Sequence, residues 1–443
     1  MERSLSNPHA QAPPRSPEGF SFRRLGLVAG LDLKESLRRP LFLIFALFMV
    51  LNGWWMSRGS WVFRSINTSL GGNKAWVDSE FQTAYVYGLI SFFMISFLVA
   101  IASGMPLIRD AEHKIGDLLH STPLRPGEYV WGKFLAALLA SFAVVLVLPL
   151  STGLLSHLLP DAGSPEIYGP FHLISYVRPT LVFLLPAVVF TAGVTFALGR
   201  WTGRPILVFL FPVIVFLICN GFLWGVYPPR ISSGLSDVLR YIDPSGFRWL
   251  KESWLLVDRG IAFYNTRPMT FDTPFLLSRA GFVVLGLLFV DLSRRHFSGR
   301  LRRPARSRIT ETAPAAPALP GTRPLSALAM ASRPPGFLAG TLAVARFELQ
   351  ELRSQPGLYI FIPFILVFLR TLYKDARDPF LNSAILWTPG IAAMEAAAYL
   401  TVALGLLFLF YTVESLEREA STGTAPVFHA TPVRTGSVVA GKV

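Results

Sequence analysis

Two stretches of the chain carry the glycine and lysine spacing of a phosphate-binding loop. Gly127-Glu128-Tyr129-Val130-Trp131-Gly132-Lys133 fits G-x-x-x-x-G-K, and Gly436 to Lys442 fits it again. In a true phosphate loop the backbone amides and the lysine hold phosphates, a Ser or Thr follows to hold Mg²⁺, and an apolar strand leads in. Here the next residues are Phe134 and Val443 and no such strand precedes them, so Gly132 and Lys133 are read as a helix start at a membrane surface, with Lys133 at the anionic leaflet. His113 and His120 could share a helix face but lack further Cys or His ligands, which favours a solvated surface role over a metal pair. No H-E-x-x-H pattern occurs, so no zinc peptidase is encoded in this stretch. Cys219, the single cysteine, lies in an apolar run, which rules out an intrachain disulfide and leaves a small apolar residue. Asn67-Thr68-Ser69 is a glycosylation sequon of a kind frequent by chance. No catalytic, cofactor-binding or metal-binding set emerges, and no cofactor is expected in this chain.

The elements that carry these residues are apolar. Of 443 residues 52% are hydrophobic and 15% charged, with mean hydropathy +0.47, whereas roughly a quarter of an ordinary soluble protein is charged. Runs nearly free of charge, close to the length of about 20 residues that crosses a bilayer, alternate with short charged stretches. They are Leu41 to Ser57, Ala84 to Leu107, Phe134 to Ser156, Pro179 to Gly199, Pro205 to Pro229 and a weaker one, Phe275 to Leu292, with Arg279 and Asp291 inside. Two more follow, Pro356 to Tyr373 and Ala392 to Val413, with Arg370 and Glu395 near their ends. Their continuity excludes a β-barrel. The net charge of +14 does not point to nucleic acid, because the cations sit beside the apolar runs and not on a separate basic domain.

Charge also orients the runs. Lys34, Arg38 and Arg39, then Arg109, Lys114, Arg125 and Lys133, then Arg200 and Arg204, then the arginines from Arg294 to Arg308 all fall on one side if six helices precede the last group. The positive-inside rule makes that side cytoplasmic, with the N-terminus there and with Arg58 to Thr83 and Arg230 to Pro274 outside. Residues Met1 to Arg24 lack the apolar core of a secretory signal. Thr310 to Pro335 is rich in Ala and Pro and reads as a linker.

Beyond the linker the sequence repeats. Phe347-Glu348-Leu349-Gln350-Glu351 before Pro356 matches Leu31-Asp32-Leu33-Lys34-Glu35 before Pro40, each reading as an amphipathic surface helix that feeds a span. After the second span of each unit, Arg109-Asp110-Ala111 aligns without gaps on Arg418-Glu419-Ala420, His120 to Arg125 on His429 to Arg434, and Gly132-Lys133 on Gly441-Lys442. In the first copy Ala111, Ile115, Leu118 and Leu119 line one face, with Arg109, Asp110, Glu112, His113, Lys114 and Asp117 elsewhere, so a short amphipathic helix is predicted, ended by Thr122-Pro123. It either docks on a soluble partner or rests on lipid headgroups. Pro426 shortens or kinks the second copy.

The string Arg109-Asp110-Ala111-Glu112 through Leu118-Leu119-His120-Ser121-Thr122-Pro123-Leu124, then Tyr129-Val130-Trp131-Gly132-Lys133 leading into a span, resembles the cytoplasmic segment after the second helix of type-2 ABC transporter permeases. Asp243-Pro244-Ser245-Gly246-Phe247 is similar to large bacterial members, some of which carry a C-terminal zinc aminopeptidase domain. The resemblance implies an all-α polytopic membrane protein of the cytoplasmic (inner) membrane: one six-helix permease unit plus the first two helices of a second. It divides the chain into a polar tail (1–30), the first unit (31–295), a basic linker (296–340) and an incomplete second unit (341–443). It implies an exporter subunit, not itself an enzyme, whose partners are cytoplasmic ABC ATPase subunits carrying ATP and Mg²⁺, membrane lipid and a second permease copy. The implied ATPase-coupling segment comprises Arg109, Asp110, Glu112, His113, Lys114, Leu118, Leu119, Thr122, Pro123, Gly132 and Lys133; in the second copy it comprises Arg418, Glu419, His429, Thr431, Pro432, Gly441 and Lys442. Four helices of the second unit are expected beyond Val443, in a longer protein or encoded elsewhere. A secondary transporter would need ionisable groups deep in the spans, which the second to fifth runs lack. The membrane anchor of a larger protein, such as a membrane-bound peptidase, is the remaining alternative.

Overall fold

A computed structural model of the chain describes residues 19–59, most of 69–112, 124–219 except 204, 223–224, 233–302 except 256, 335–354 and 433–442, with isolated positions between 365 and 408. The chain divides into two compact units, Met1–Arg303 and Pro304–Val443.

The first unit opens with α1 (Phe22–Arg38), which begins inside the stretch expected to be a polar tail. Its apolar residues Phe22, Leu27, Leu31 and Leu37 are exposed, as suits a helix lying on a membrane surface. Arg39 is extended, as a residue before proline prefers, and Pro40 then opens α2 (Pro40–Ser57) at a position where no helix bond is lost. That helix leaves Leu43, Ile44, Leu47 and Leu51 exposed, with Trp54 and Trp55 at its far end, the distribution of a lipid-facing span with an interfacial aromatic belt.

A short antiparallel hairpin, β1 (Ser69–Leu70) and β2 (Asn73–Lys74), precedes α3 (Glu80–Ile90) and α4 (Ser96–Glu112). The next helices are α5 (Pro126–Val145), α6 (Val147–Leu158), α7 (Ile174–Pro179), a π-helical stretch at Thr180–Leu184 and α8 (Leu185–Thr202). They lead to α9 (Pro205–Ile218), α10 (Ser233–Ile242), α11 (Phe247–Leu250), α12 (Ile261–Thr266) and the long α13 (Thr273–Arg302). Among the described residues four helical stretches are long and apolar enough to cross a membrane: Pro40–Ser57, Pro126–Leu158, Ile174–Thr202 and Thr273–His296. The second apolar run is carried by α3 and α4, whose starting Glu80 bonds Arg178 and whose closing turn holds Asp110 against Lys133. The fifth run is helical over α9. The protein is therefore an all-α polytopic membrane protein.

Helix α8 is the hub. Gly193 and Gly286 bring the α8 and α13 backbones together so closely that a side chain on either would overlap the other backbone. On its other side the Ser103 and Thr195 hydroxyls bond at 2.7 Å between α4 and α8. In membranes, where apolar side chains gain little by leaving lipid, small residues and interhelical hydroxyls take over the work of association.

The bundle has a basic end, where Arg39, Arg109, Lys133, Arg200 and Arg294 gather, and an opposite end closed by a folded cap. In the cap Gly246, at φ 75°, turns the Asp243 to Phe247 segment, and the Asp243 carboxylate accepts from the Ser245 and Arg248 amides. Arg279, in the weak sixth run, is only 3% exposed and donates to the carbonyls of Asp243 and Pro244. Trp249 stacks on Phe275 at 3.9 Å. A charge that looks misplaced in the sequence of a span is thus the clasp of the cap.

In the second unit the described helices are α14 (Phe337–Ser354) and α15 (Thr435–Lys442), which pack together. The two apolar runs expected at 356–373 and 392–413 lie outside the described residues apart from isolated positions.

Candidate functional site

At the basic end three elements meet: α1, the last turn of α4 and the first turns of α5. Helix α5 starts at Pro126, earlier than the apolar run announces, because Arg125 is extended before proline and Glu128 caps the start by accepting from the Arg125 amide at 3.0 Å. Gly127 to Lys133 is therefore helix and not a loop after a strand. The Glu128 side chain is fully buried and also accepts from the Ser21 amide at 2.6 Å and from Arg24 at 3.0 Å, so it fastens the beginning of α1 to α5.

One turn further on the two helices touch. A Cβ on Gly132 would stand 2.9 Å from Cβ of Val28 and 3.1 Å from the Leu25 carbonyl, so only glycine admits this approach. Contact at that distance brings Lys133 within reach of acids on both neighbours: its Nζ lies 2.9 Å from Asp32 of α1 and 2.8 Å from Asp110 of α4. The Tyr129 hydroxyl donates to Asp110 as well. Lys133 is 12% exposed and pairs within the protein, a role that its reading as a cation at the anionic leaflet did not include. Two carboxylates that the sequence keeps far apart claim it, and pairing inside the protein outweighs exposure to headgroups. Asp110 likewise faces inward, into the clamp. Beside the clamp, the Arg39 hydrogen bond at 2.5 Å, with the charges of Lys133 and Arg109, holds the Glu35 carboxyl below the usual carboxylate range against the opposing effect of partial burial.

The second unit rebuilds this junction. Gly441 stands for Gly132: its Cβ would be 2.7 Å from the Thr341 carbonyl and 2.8 Å from Cβ of Val344, the places of Leu25 and Val28. Lys442 then reaches Glu348, in the place of Asp32, at 3.5 Å and is 3% exposed. Glu128 is replaced by Ser437, whose hydroxyl donates to the Phe337 carbonyl at 3.1 Å, and Tyr129 by Val438.

Of the residues singled out in the sequence, the structure brings together Asp110, Gly132 and Lys133 in the first unit, and it places Gly441 and Lys442 at the equivalent contact in the second. Arg109 lies beside the clamp on α4, and Glu112 ends that helix. His113, Lys114, Leu118, Leu119, Thr122 and Pro123 lie outside the described residues, as do Arg418, Glu419, His429, Thr431 and Pro432. Residues that the sequence reading did not single out as sites are Asp32, Glu128 and Tyr129. Their signal was present for Asp32, which sits in the repeated segment matched by Glu348.

Residues 64–247 match the model of a family described as ABC-2 family transporter protein. The first unit carries an ABC-2 family transporter domain over these residues. The matched range runs from before α3 to the first residue of α11 and takes in α4 and α5 of the clamp, while α1, which carries Asp32, precedes it; the match supports a type-2 ABC permease. The permease unit's junction thus sits at the basic end of a transport protein's membrane bundle. A comparison with curated proteins found no match.

Proposed function

We propose that the chain is the membrane-spanning part of an exporter in the cytoplasmic membrane, driven by a separate ATPase that docks at its basic end. The positive charge on that end supports a cytoplasmic N-terminus. The observation that carries the reading is the clamp: Lys133 fastens Asp32 of the surface helix and Asp110 of α4, immediately before residues 113–123, to the helix that follows them. Movement imposed on 113–123 by a partner would pass directly into α4 and α5 and, through Asp32, into α1. In this reading Glu112, Lys114 and the rest of 113–123 meet the ATPase, and Asp110 with Lys133 transmits the motion. The second junction supports a second such contact, made by the segment from Arg418 to Pro432, so that one chain carries two ATPase-facing segments.

Purification of the tagged chain from its native membrane tests this. An ATP-hydrolysing subunit is expected to co-purify, and the isolated chain to hydrolyse no ATP. Robust hydrolysis by the isolated chain would overturn the reading. For orientation, a cysteine placed at Arg38 should resist a membrane-impermeant thiol reagent in intact cells, while one at Gly163 should react. The reverse pattern would invert the topology.

A further inference from the structure

Between α1, α4 and α5, next to the clamp, lies a cavity of about 260 Å³ lined by Asp32, Glu35, Asp110, Arg39, Arg109 and Lys133, with Ala136 and Ala137 at its apolar side. Its depth is set by the sequence. Arg39 immediately precedes the apolar run of α2, Arg109 follows that of α4, and Lys133 precedes that of α5, so all three cations stand at the boundary between apolar and polar segments. In a bilayer this is the level of the lipid headgroups.

Three carboxylates and three cations line the space, so its formal charge is balanced. A site for a lone anion would carry excess positive charge; a balanced one instead suits a ligand with both signs, whose groups can exchange partners with an existing ion pair. Glu35 and Arg39 form the more exposed pair, at 65% and 33%, and are the groups a ligand reaches first. The cavity is smaller than the roughly 300–1,000 Å³ that engulfs a whole small molecule, which fits a ligand that inserts only its head. Leu31, next to Asp32 in α1, and Leu43 and Leu47 of α2, the helix that follows Arg39, are exposed and offer apolar surface for a tail.

We propose that this cavity binds the headgroup of a zwitterionic phospholipid bearing a primary ammonium. Its phosphate pairs with Arg39 and Arg109, and its ammonium donates to Glu35. A primary ammonium has N–H groups for a carboxylate to accept, and a quaternary one has none, so phosphatidylethanolamine is favoured over phosphatidylcholine. Phosphatidylglycerol lacks the cation altogether. The site does not depend on the ATPase reading, since lipid would occupy it in the isolated chain.

The test is native mass spectrometry of the full chain, purified in detergent and offered the three phospholipids with identical acyl chains. The wild-type protein is expected to retain phosphatidylethanolamine roughly tenfold more strongly than either other lipid, the ratio that about 1.4 kcal/mol supplies. Two variants should abolish the preference: Glu35→Gln with Arg39→Gln, which removes the exposed pair together, and Ser36→Leu, which fills the cavity and keeps every charge. Ser36 is on the half-exposed surface helix, so this second variant is compatible with folding. Equal retention of the three lipids by the wild type, a preference for phosphatidylglycerol, or a preference that survives in either variant would overturn the proposal.

Discussion

The two junctions are the same contact built with different amounts of reinforcement. Both keep a glycine pressed on a valine, and both follow it with a lysine that reaches an acid four residues beyond that valine, Asp32 in one and Glu348 in the other. Only the first adds the buried Glu128, which ties Ser21 and Arg24, and the Tyr129 hydroxyl on Asp110. At the place of the Arg24–Glu128 pair the second unit has Gly340 against Ser437. What the two share is what the helix crossing requires: a residue without a side chain at closest approach, then a cation where two helices diverge. What differs is how firmly the start of the surface helix is pinned.

The comparison predicts unequal losses. Lys133→Met should cost the first unit about 3 kcal/mol, because it leaves two mostly buried carboxylates facing one another. Thermal unfolding of the purified chain, followed by tryptophan fluorescence, would register this, and a change within error would show the clamp to be ornamental. Gly132→Val should cost about 2 kcal/mol, since the new methyls meet Val28 and the Leu25 carbonyl and α1 must move away. Limited proteolysis would detect α1 released from α5, and Gly441→Val should release α14 from α15 in the same way. Lys442→Met should cost at least about 1.5 kcal/mol, the cost of orphaning Glu348. Smallest is Tyr129→Phe, at about 1 kcal/mol for one hydrogen bond to a carboxylate still held by Lys133.

Much of this architecture is readable from residues alone. The six apolar runs of the first unit each carry helix, because a run without charge has only the bilayer to sit in and a helix is the way to satisfy its backbone there. The repeat is legible in Gly132-Lys133 and Gly441-Lys442, and the structure places both pairs at the same contact. The partners of these lysines are not legible. Asp32 and Asp110 come from other helices, and local pattern says nothing about which acid a helix crossing brings to a cation. Lys133 consequently reads as a headgroup anchor until its neighbours are seen. Helix starts are misjudged for a related reason: α1 and α3 begin in polar sequence, at Phe22 and Glu80, where one Glu80 carboxylate oxygen accepts from Arg178 and the Met269 amide. Apolar periodicity is silent about such distant partners. Arg279 illustrates the same limit at the opposite end, since its clasp on the Asp243 turn depends on α13 passing beneath it.

The central claim is that the clamp carries the partner's motion, and it is tested most directly by recovering ATP hydrolysis with the tagged chain from native membranes for three proteins: wild type, Lys133→Met and Arg279→Lys. The last disturbs a buried clasp at the far end, so it controls for general loss of stability. With membrane levels matched, Lys133→Met is expected to recover less than about a tenth of the wild-type hydrolysis, and Arg279→Lys to recover it in full. Full recovery with Lys133→Met, at normal abundance, would contradict the account and leave the clamp a packing feature of the bundle.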